Sequence, residues 1–282
     1  MYSREFWRCP LRTKTTMAFR IQILSDIHLE MERGDAPLYE YDFPATAPNL
    51  ALLGDIGWTR EPRLFEWLDI QRRRFEITFF LSGNHEPYFS SLAESDNRLK
   101  EYASKCEQES LENGTGRFVY LDRTRYDVSP SLTILGCTLW AKLDPNELDI
   151  LSFSVTDFKR IESFGPNEFS SAHAADVAWL RESINRIRQS EPSRRVIVFT
   201  HHAPTVDGVS DPKYIGGLTS SAFVTEFSDD EIIWSKPVIA WAFGHTHWSC
   251  DFERNAVRVY SNQRGYKESP RYDPTRVVEF ET

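Results

Sequence analysis

The chain has 282 residues, 40% apolar and 13% aromatic, enough for one large hydrophobic core or two small ones and too apolar for a disordered chain. Its formal charge of −9, with no Lys/Arg run longer than the three arginines at 72–74, excludes the basic face that long nucleic acid requires. No stretch reaches the roughly 18 consecutive apolar residues of a membrane span.

Residues 1–16 carry Arg4, Arg8, Arg12 and Lys14 against Glu5 alone and precede Met17, where MAFRIQILSD reads as a domain start. They are expected to form a disordered extension, with a short organellar targeting segment as the alternative. Buried strands are predicted at 19–24 (FRIQIL), 50–53 (LALL), 77–81 (ITFFL), 195–199 (RVIVF), 238–243 (VIAWAF) and 256–260 (AVRVY). Helix spacing separates several of them: Leu64, Phe65, Leu68 and Phe75 in 62–76; Leu92, Leu99, Tyr102 and Cys106 in 91–112; and Val177, Leu180, Ile184 and Ile187 in 171–189, capped by Ser170 or Ser171. This alternation indicates α/β. Two further strands, RFVYL and LTILGCTLW, lead into a polar and aromatic excursion without clear periodicity, a predicted lid or specificity loop at about 141–170. No repeat or linker divides residues 17–282, which are expected to be one domain. Cys9, Cys106, Cys137 and Cys250 are scattered without a C-x-x-C pair, so reduced thiols and a cytoplasmic location are expected.

A polar cluster follows each of the first five apolar runs: SDIHLE, GDIGW, SGNHEP, THHAP and FGHTHWS. In an open α/β sheet the C-terminal strand ends face one crevice, which would gather Asp26, His28, Asp55, Asn84, His85, His201, His202, His245 and His247. Six of the seven histidines fall in that set, a sorting that scattered core or surface histidines would not produce. Each cluster alone is weak: D-x-H is common, G-N-H-E fits a turn before a helix, and G-H-x-H fits a hydrogen-bonded strand end. Carboxylate, amide oxygen and imidazole without thiolate suit Mn, Fe, Zn, Co or Ni. The ligands suffice for two ions, which a shared carboxylate would bridge at the roughly 3.5–4 Å of two-metal hydrolases.

D-x-H, G-D, G-N-H-E, a later H and G-H-x-H in this order resemble the signature of calcineurin-like metallophosphoesterases, over about residues 19–262. The resemblance implies a sandwich of two sheets flanked by helices, with two transition-metal ions, Mn, Fe or Zn, at one end. It implies that Asp26, His28, Asp55 and His247 hold one ion, and that Asp55, Asn84, His201 and His245 hold the other. Asp55 would then bridge the ions, a metal-bridging hydroxide would attack, and His85 would meet the phosphate and protonate the leaving oxygen. Protein Ser/Thr phosphatases read G-D-x-V-D-R-G and R-G-N-H-E; Thr59 and Ser82 stand here where their arginines fall, so a protein phosphatase is not expected. The opening IQILSDIHLE, the middle segment LGCTLW and the tail SNQRGY are more similar to small soluble phosphoesterase-like proteins of bacteria and fungi.

Beyond these ligands, His202, Arg264, Trp140, Asp157 and Phe158 are substrate-binding candidates, weighed against second contacts, salt bridges and core packing. Trp58, Tyr88, Trp248 and Tyr266 flank the motifs as further aromatics, and His173 is assigned to a helix start. The expected function is hydrolysis of a small phosphorylated molecule, a nucleotide among the candidates, with a phosphodiester favoured because the missing arginine pair suits a less charged phosphate. Phosphomonoester or nucleotide pyrophosphate hydrolysis is the alternative within the class. A metal-binding scaffold without catalysis is the alternative outside it.

Overall fold

A computed structural model describes residues 18–32 and 38–282, so the expectations for residues 1–16 lie outside the described residues. In chain order the strands are β1 (Ala18–Leu24), β2 (Asn49–Leu53), β3 (Ile77–Leu81), β4 (Arg117–Tyr120), β5 (Thr124–Ser129), β6 (Leu132–Gly136), β7 (Arg195–Phe199), β8 (Val238–Ala242), β9 (Cys250–Arg254), β10 (Val257–Ser261) and β11 (Val277–Glu281). The α-helices are α1 (Pro62–Arg72), α2 (Leu92–Asn113), α3 (Leu148–Ser154), α4 (Asp157–Arg160) and α5 (Pro166–Ser190). They build two mixed sheets, ordered β11-β1-β2-β3-β4 and β5-β6-β7-β8-β10-β9.

The strands read as nearly continuous apolar runs because both faces are covered. On β2, Ala51 and Leu53 pack against the second sheet with Ile197, Phe199 and Ala242. The alternate residues Leu50 and Leu52 pack under α1 and α2, against Leu64, Leu68, Leu99 and Tyr102. In the second sheet Val196, Val198 and Trp241 pack under Leu180, Ile184 and Ile187 of α5. The result is the expected α/β sandwich, helices outside and two sheets within.

Helix boundaries follow local chemistry. Ser91 and Glu94 form a reciprocal capping box at the start of α2, and Gly114 ends it at φ +67. α5 begins at Pro166, before the Ser170 or Ser171 cap expected from sequence, because Pro166 occupies its first turn and Glu168 accepts the Gly165 N–H. α1 stops at Arg72, short of the expected residue 76, although Phe75 still packs into the core.

The 141–170 segment is not bare loop. It contains α3, α4 and the first turn of α5. Leu143, Leu151, Ile161, Phe164 and Phe169 are buried there with Tyr88 and Trp140 in a separate cluster. The predicted lid or specificity loop is built of turns too short for periodicity: α3 and the first turn of α5 bury Leu151 and Phe169, and α4 buries Asp157.

Candidate metal centre

The five polar clusters follow β1, β2, β3, β7 and β8, whose pairings within each sheet are parallel, so their loops emerge at one edge. The backbone there leaves the strand conformation abruptly. Asp26, His28, Asp55, His245 and His247 all have positive φ, between +49 and +71. Left-handed backbone at non-glycine residues costs of order 1–3 kcal/mol each and is retained where surrounding structure over-determines it. An extended strand would keep His245 and His247, two residues apart, on one face; the left-handed backbone at both instead sets His245 beside His201 and His247 beside His28. Gly54, at φ +83, lies so close to Gly83 that a Cβ would meet that backbone at 2.6 Å.

Asp55 sits at the middle. Its Oδ1 lies 3.3 Å from His201 Nε2, and its Oδ2 lies 3.8 Å from Nε2 of both His28 and His85. On the His28 side, His28 Nε2 and His247 Nε2 stand 3.1 Å apart, and Asp26 Oδ1 is 3.4 Å from His247 Nε2. On the His201 side, Asn84 Oδ1 is 3.0 Å from His201 Nε2, and the His245 ring centroid is 5.0 Å from that of His201. Asp26–His28–His247, His28–Asp55–His85 and Asp55–His201–His245 each bring their ligand atoms within 4.8 Å of one another. Imidazole nitrogens converging with carboxylate and amide oxygens are a donor set for borderline-hard cations, so the residues fit two transition-metal ions.

The surrounding contacts orient these donors. His201 Nδ1 lies 2.8 Å from the Leu53 carbonyl, so Nδ1 carries a proton and Nε2 faces the centre. Asp26 Oδ2 accepts from the Ser25 hydroxyl at 2.6 Å, and the carboxylate also accepts the His245 N–H. The Asn84 amide donates to Asp157 at 2.8 Å, which turns its oxygen toward His201. Glu86 accepts the backbone N–H groups of Gly83, Ile56 and Asp55 at 2.7, 2.8 and 3.0 Å, tying the β2 and β3 loops together.

The field is strong because the groups are buried. Burial would raise the Asp55 carboxyl, but the charges of His201 and His85 reverse this and hold it well below the ordinary range. Burial would lower His201 and His85; Asp55 overrides it and pushes them up to about 10 and about 9. Burial, aided by the charge of His201 for His202 and by both neighbouring histidines for His245, drives His202 and His245 well below the ordinary histidine value. The same field favours a cation among these groups.

The substrate candidates outside the ligands fare differently. Trp140 and Asp157 are only 5% and 4% exposed, so neither presents a surface to a substrate. Trp140 packs on Phe164, Phe169 and His202; Asp157 accepts from Asn84 and from Tyr88 at 2.6 Å. His202 is also buried, its ring 4.1 Å from that of His245, so its phosphate-facing reading is corrected to packing behind that ring. Phe158 is half-buried against Phe164 and Phe169. The Arg264 guanidinium lies 3.7 Å over the Tyr41 ring, with Glu268 at 3.9 Å. His173 Nδ1 donates to the Trp140 carbonyl from within α5.

Five residues at the site carried no role in the sequence reading. Glu30 and Glu86 stand inside SDIHLE and SGNHEP, and a carboxylate beside a ligand motif was the available signal. Phe223 stacks on His245 at 4.7 Å, but it lies far from any motif and arrives only by tertiary packing. Tyr266, previously only a flanking aromatic, sets its hydroxyl 3.2 Å from His85 Nε2 and its ring against those of His28 and His247. Ser25 likewise precedes a ligand without a sequence signal of its own.

The calcineurin-like phosphoesterase family model matches residues 19–249. An uncharacterized protein of Acanthamoeba polyphaga mimivirus is 26% identical over 283 residues, covering 93% of this chain and 96% of that one. A phosphopantetheinyl hydrolase from Mycobacterium tuberculosis has a similar fold, with TM-score 0.62 at 16% identity, covering 92% of this chain and 95% of that one. Among the described residues no helix is long and apolar enough to cross a membrane. With the family match spanning the same strand-end clusters that build the site, the chain belongs to the calcineurin-like phosphoesterase family.

Proposed function

We propose that the chain is a two-metal phosphoesterase acting on a small phosphorylated molecule, with a phosphodiester favoured over a monoester. The observation that carries this reading is Asp55, whose two oxygens face different histidine groups at 3.3 and 3.8 Å. Asp26, His28, Asp55 and His247 would hold one ion, and Asp55, Asn84, His201 and His245 the other. Mn, Fe or Zn bound there supplies Lewis acidity toward phosphoryl oxygens and an activated water nucleophile. The chain's own residues orient the donors and bury the reacting centre. His85, charged under the influence of Asp55, places Nε2 to deliver a proton to the departing oxygen.

The diester preference rests on what replaces the phosphatase arginines. Thr59 is buried and donates to the Glu86 carbonyl at 3.0 Å, and the Ser82 hydroxyl donates to its neighbouring carbonyl. Neither provides a cation for a phosphate dianion. The scaffold alternative is disfavoured because every expected ligand position is filled.

Metal analysis of the purified chain, followed by assays with p-nitrophenyl phosphate, bis-p-nitrophenyl phosphate, nucleotide esters and a phosphopantetheine ester, tests the proposal. Two ions per chain with faster diester than monoester turnover are expected. Metal without hydrolysis of any ester would favour the scaffold, and faster monoester turnover would reverse the substrate preference.

A further inference from the structure

We propose that Glu30 is a positioning residue that fixes the tautomer and ring orientation of His28 and His85 together. A single oxygen carries both contacts: Glu30 Oε1 lies 3.0 Å from His28 Nδ1 and 3.0 Å from His85 Nδ1. The two rings meet edge to face with centroids 4.6 Å apart. The Glu30 side chain is 1% exposed, and its second oxygen is buried without a hydrogen-bond partner. A half-satisfied buried carboxylate is costly, so its two imidazole contacts are the interactions that retain it here.

A carboxylate oxygen accepts and cannot donate, so both Nδ1 atoms must carry protons. That leaves both Nε2 atoms turned toward Asp55, which lies 3.8 Å from each. His28 thereby offers a lone pair where the metal-ligand reading needs one. His85 holds its Nε2 toward the reacting space, and its proton passes from Nε2 to the leaving oxygen while Glu30 keeps the Nδ1–H and receives no proton. This last role rests on the proposed proton-donor function of His85; the orientation of His28 does not.

The full-length Glu30→Ala and Glu30→Gln variants test the proposal. In wild-type protein the Nδ1–H resonances of His28 and His85 should be slowly exchanging in ¹⁵N-imidazole spectra, and in Glu30→Ala both should be lost. Titration with Mn²⁺ should show one of two sites weakened about 10- to 100-fold in Glu30→Ala, as expected on losing a contact that orients a ligand. Glu30→Gln, which keeps an acceptor oxygen, should restore Mn²⁺ affinity to within about threefold. It should still lose more kcat on phenyl phosphate than on p-nitrophenyl phosphate, because the weaker leaving group needs the proton more. Retention of both Nδ1–H signals and both Mn²⁺ affinities in Glu30→Ala would overturn the proposal. Equal weakening of both metal sites with equal loss on both esters would also overturn it, reducing Glu30 to general structural support. If Glu30→Ala does not fold, the Glu30→Gln spectra decide: loss of both Nδ1–H signals there is fatal, and their retention with the ester split supports the proposal. Should the wild type hydrolyse no ester, the phosphoesterase reading fails while the ¹⁵N spectra and Mn²⁺ titration still decide the role of Glu30.

Discussion

The two halves of the candidate metal centre are built to different rules. In the His201 half, His201 itself is fully buried, its Nδ1 is anchored on a backbone carbonyl, and Asn84 is held by the buried Asp157. In the His28 half, His28 is held by a carboxylate shared with His85, while the His247 side chain is 25% exposed beneath Tyr266. A backbone carbonyl cannot be mutated away and does not change charge; a shared side-chain carboxylate can do both. The difference teaches that the central histidine is anchored by the fold in one half and by an exchangeable side chain in the other, so the ion in the His28 half should leave first.

The largest expected effect breaks both halves at once. Asp55→Ala should remove more metal than any other single change and lower hydrolysis by at least about 10³-fold, because it alone faces both groups. Metal analysis and steady-state assays check this, and retention of both ions would show that Asp55 bridges nothing.

His85→Ala should leave both halves loaded while lowering kcat on an alkyl ester by about 10²–10⁴-fold and on a p-nitrophenyl ester far less. Equal losses on the two esters at full metal content would reassign His85 to electrostatic stabilisation of the phosphoryl group.

The comparison is sharpened by Asp157→Ala, which removes the acceptor for both Asn84 and Tyr88. Metal affinity should fall about 10- to 100-fold in the His201 half only. Competition against a graded series of chelators would show it, and weakening confined to the His28 half would invert the assignment.

A stability measurement addresses the 141–170 segment, which supplies Asp157 from α4. Leu151 is fully buried, and Leu151→Ala should cost about 2–5 kcal/mol in denaturant unfolding. A cost near zero would show that α3 contributes nothing to the fold of the lid or specificity segment expected at 141–170.

The smallest effect is expected at Phe223, 40% exposed and stacked on His245. Phe223→Ala should leave metal content unchanged and raise KM a few-fold at most, at the scale of one lost aromatic contact, about 0.5–1.5 kcal/mol. Loss of a whole ion would mean that the ring holds His245 in place.

Much of this was legible in the amino-acid order. The central strands were readable because both their faces are covered, as Leu50 to Leu53 show, leaving nearly unbroken apolar runs. The three strands that escaped, β5, β9 and β11, are all sheet edges. There TRYDVS, CDFER and VVEFE mix charges into the pattern, as edges exposed to solvent do, and Arg258 pairs with Asp251 across β9 and β10. At the site, the candidate donors and their order were legible because metal-binding chemistry restricts them to His, Asp and Asn. The supporting contacts were not. Asp157 reaches Asn84 across 73 positions, and Phe223 reaches His245 through packing, so no local spacing reports either. Trp140 and His202 misled because a residue beside a motif along the chain need not open into the same space.

The Glu86 carboxylate also bears on how quickly the site exchanges its contents. By gathering the amides of Asp55, Ile56 and Gly83, it ties the β2 and β3 loops together through backbone groups and not through the metal-facing atoms. Ligands already in place need no folding step to receive a cation, so capture should be limited by dehydration of the incoming ion and by passage past Tyr266. A chelator-stripped sample should therefore reload within the mixing time of ordinary bench experiments, with no denaturation and refolding cycle between the empty and filled forms.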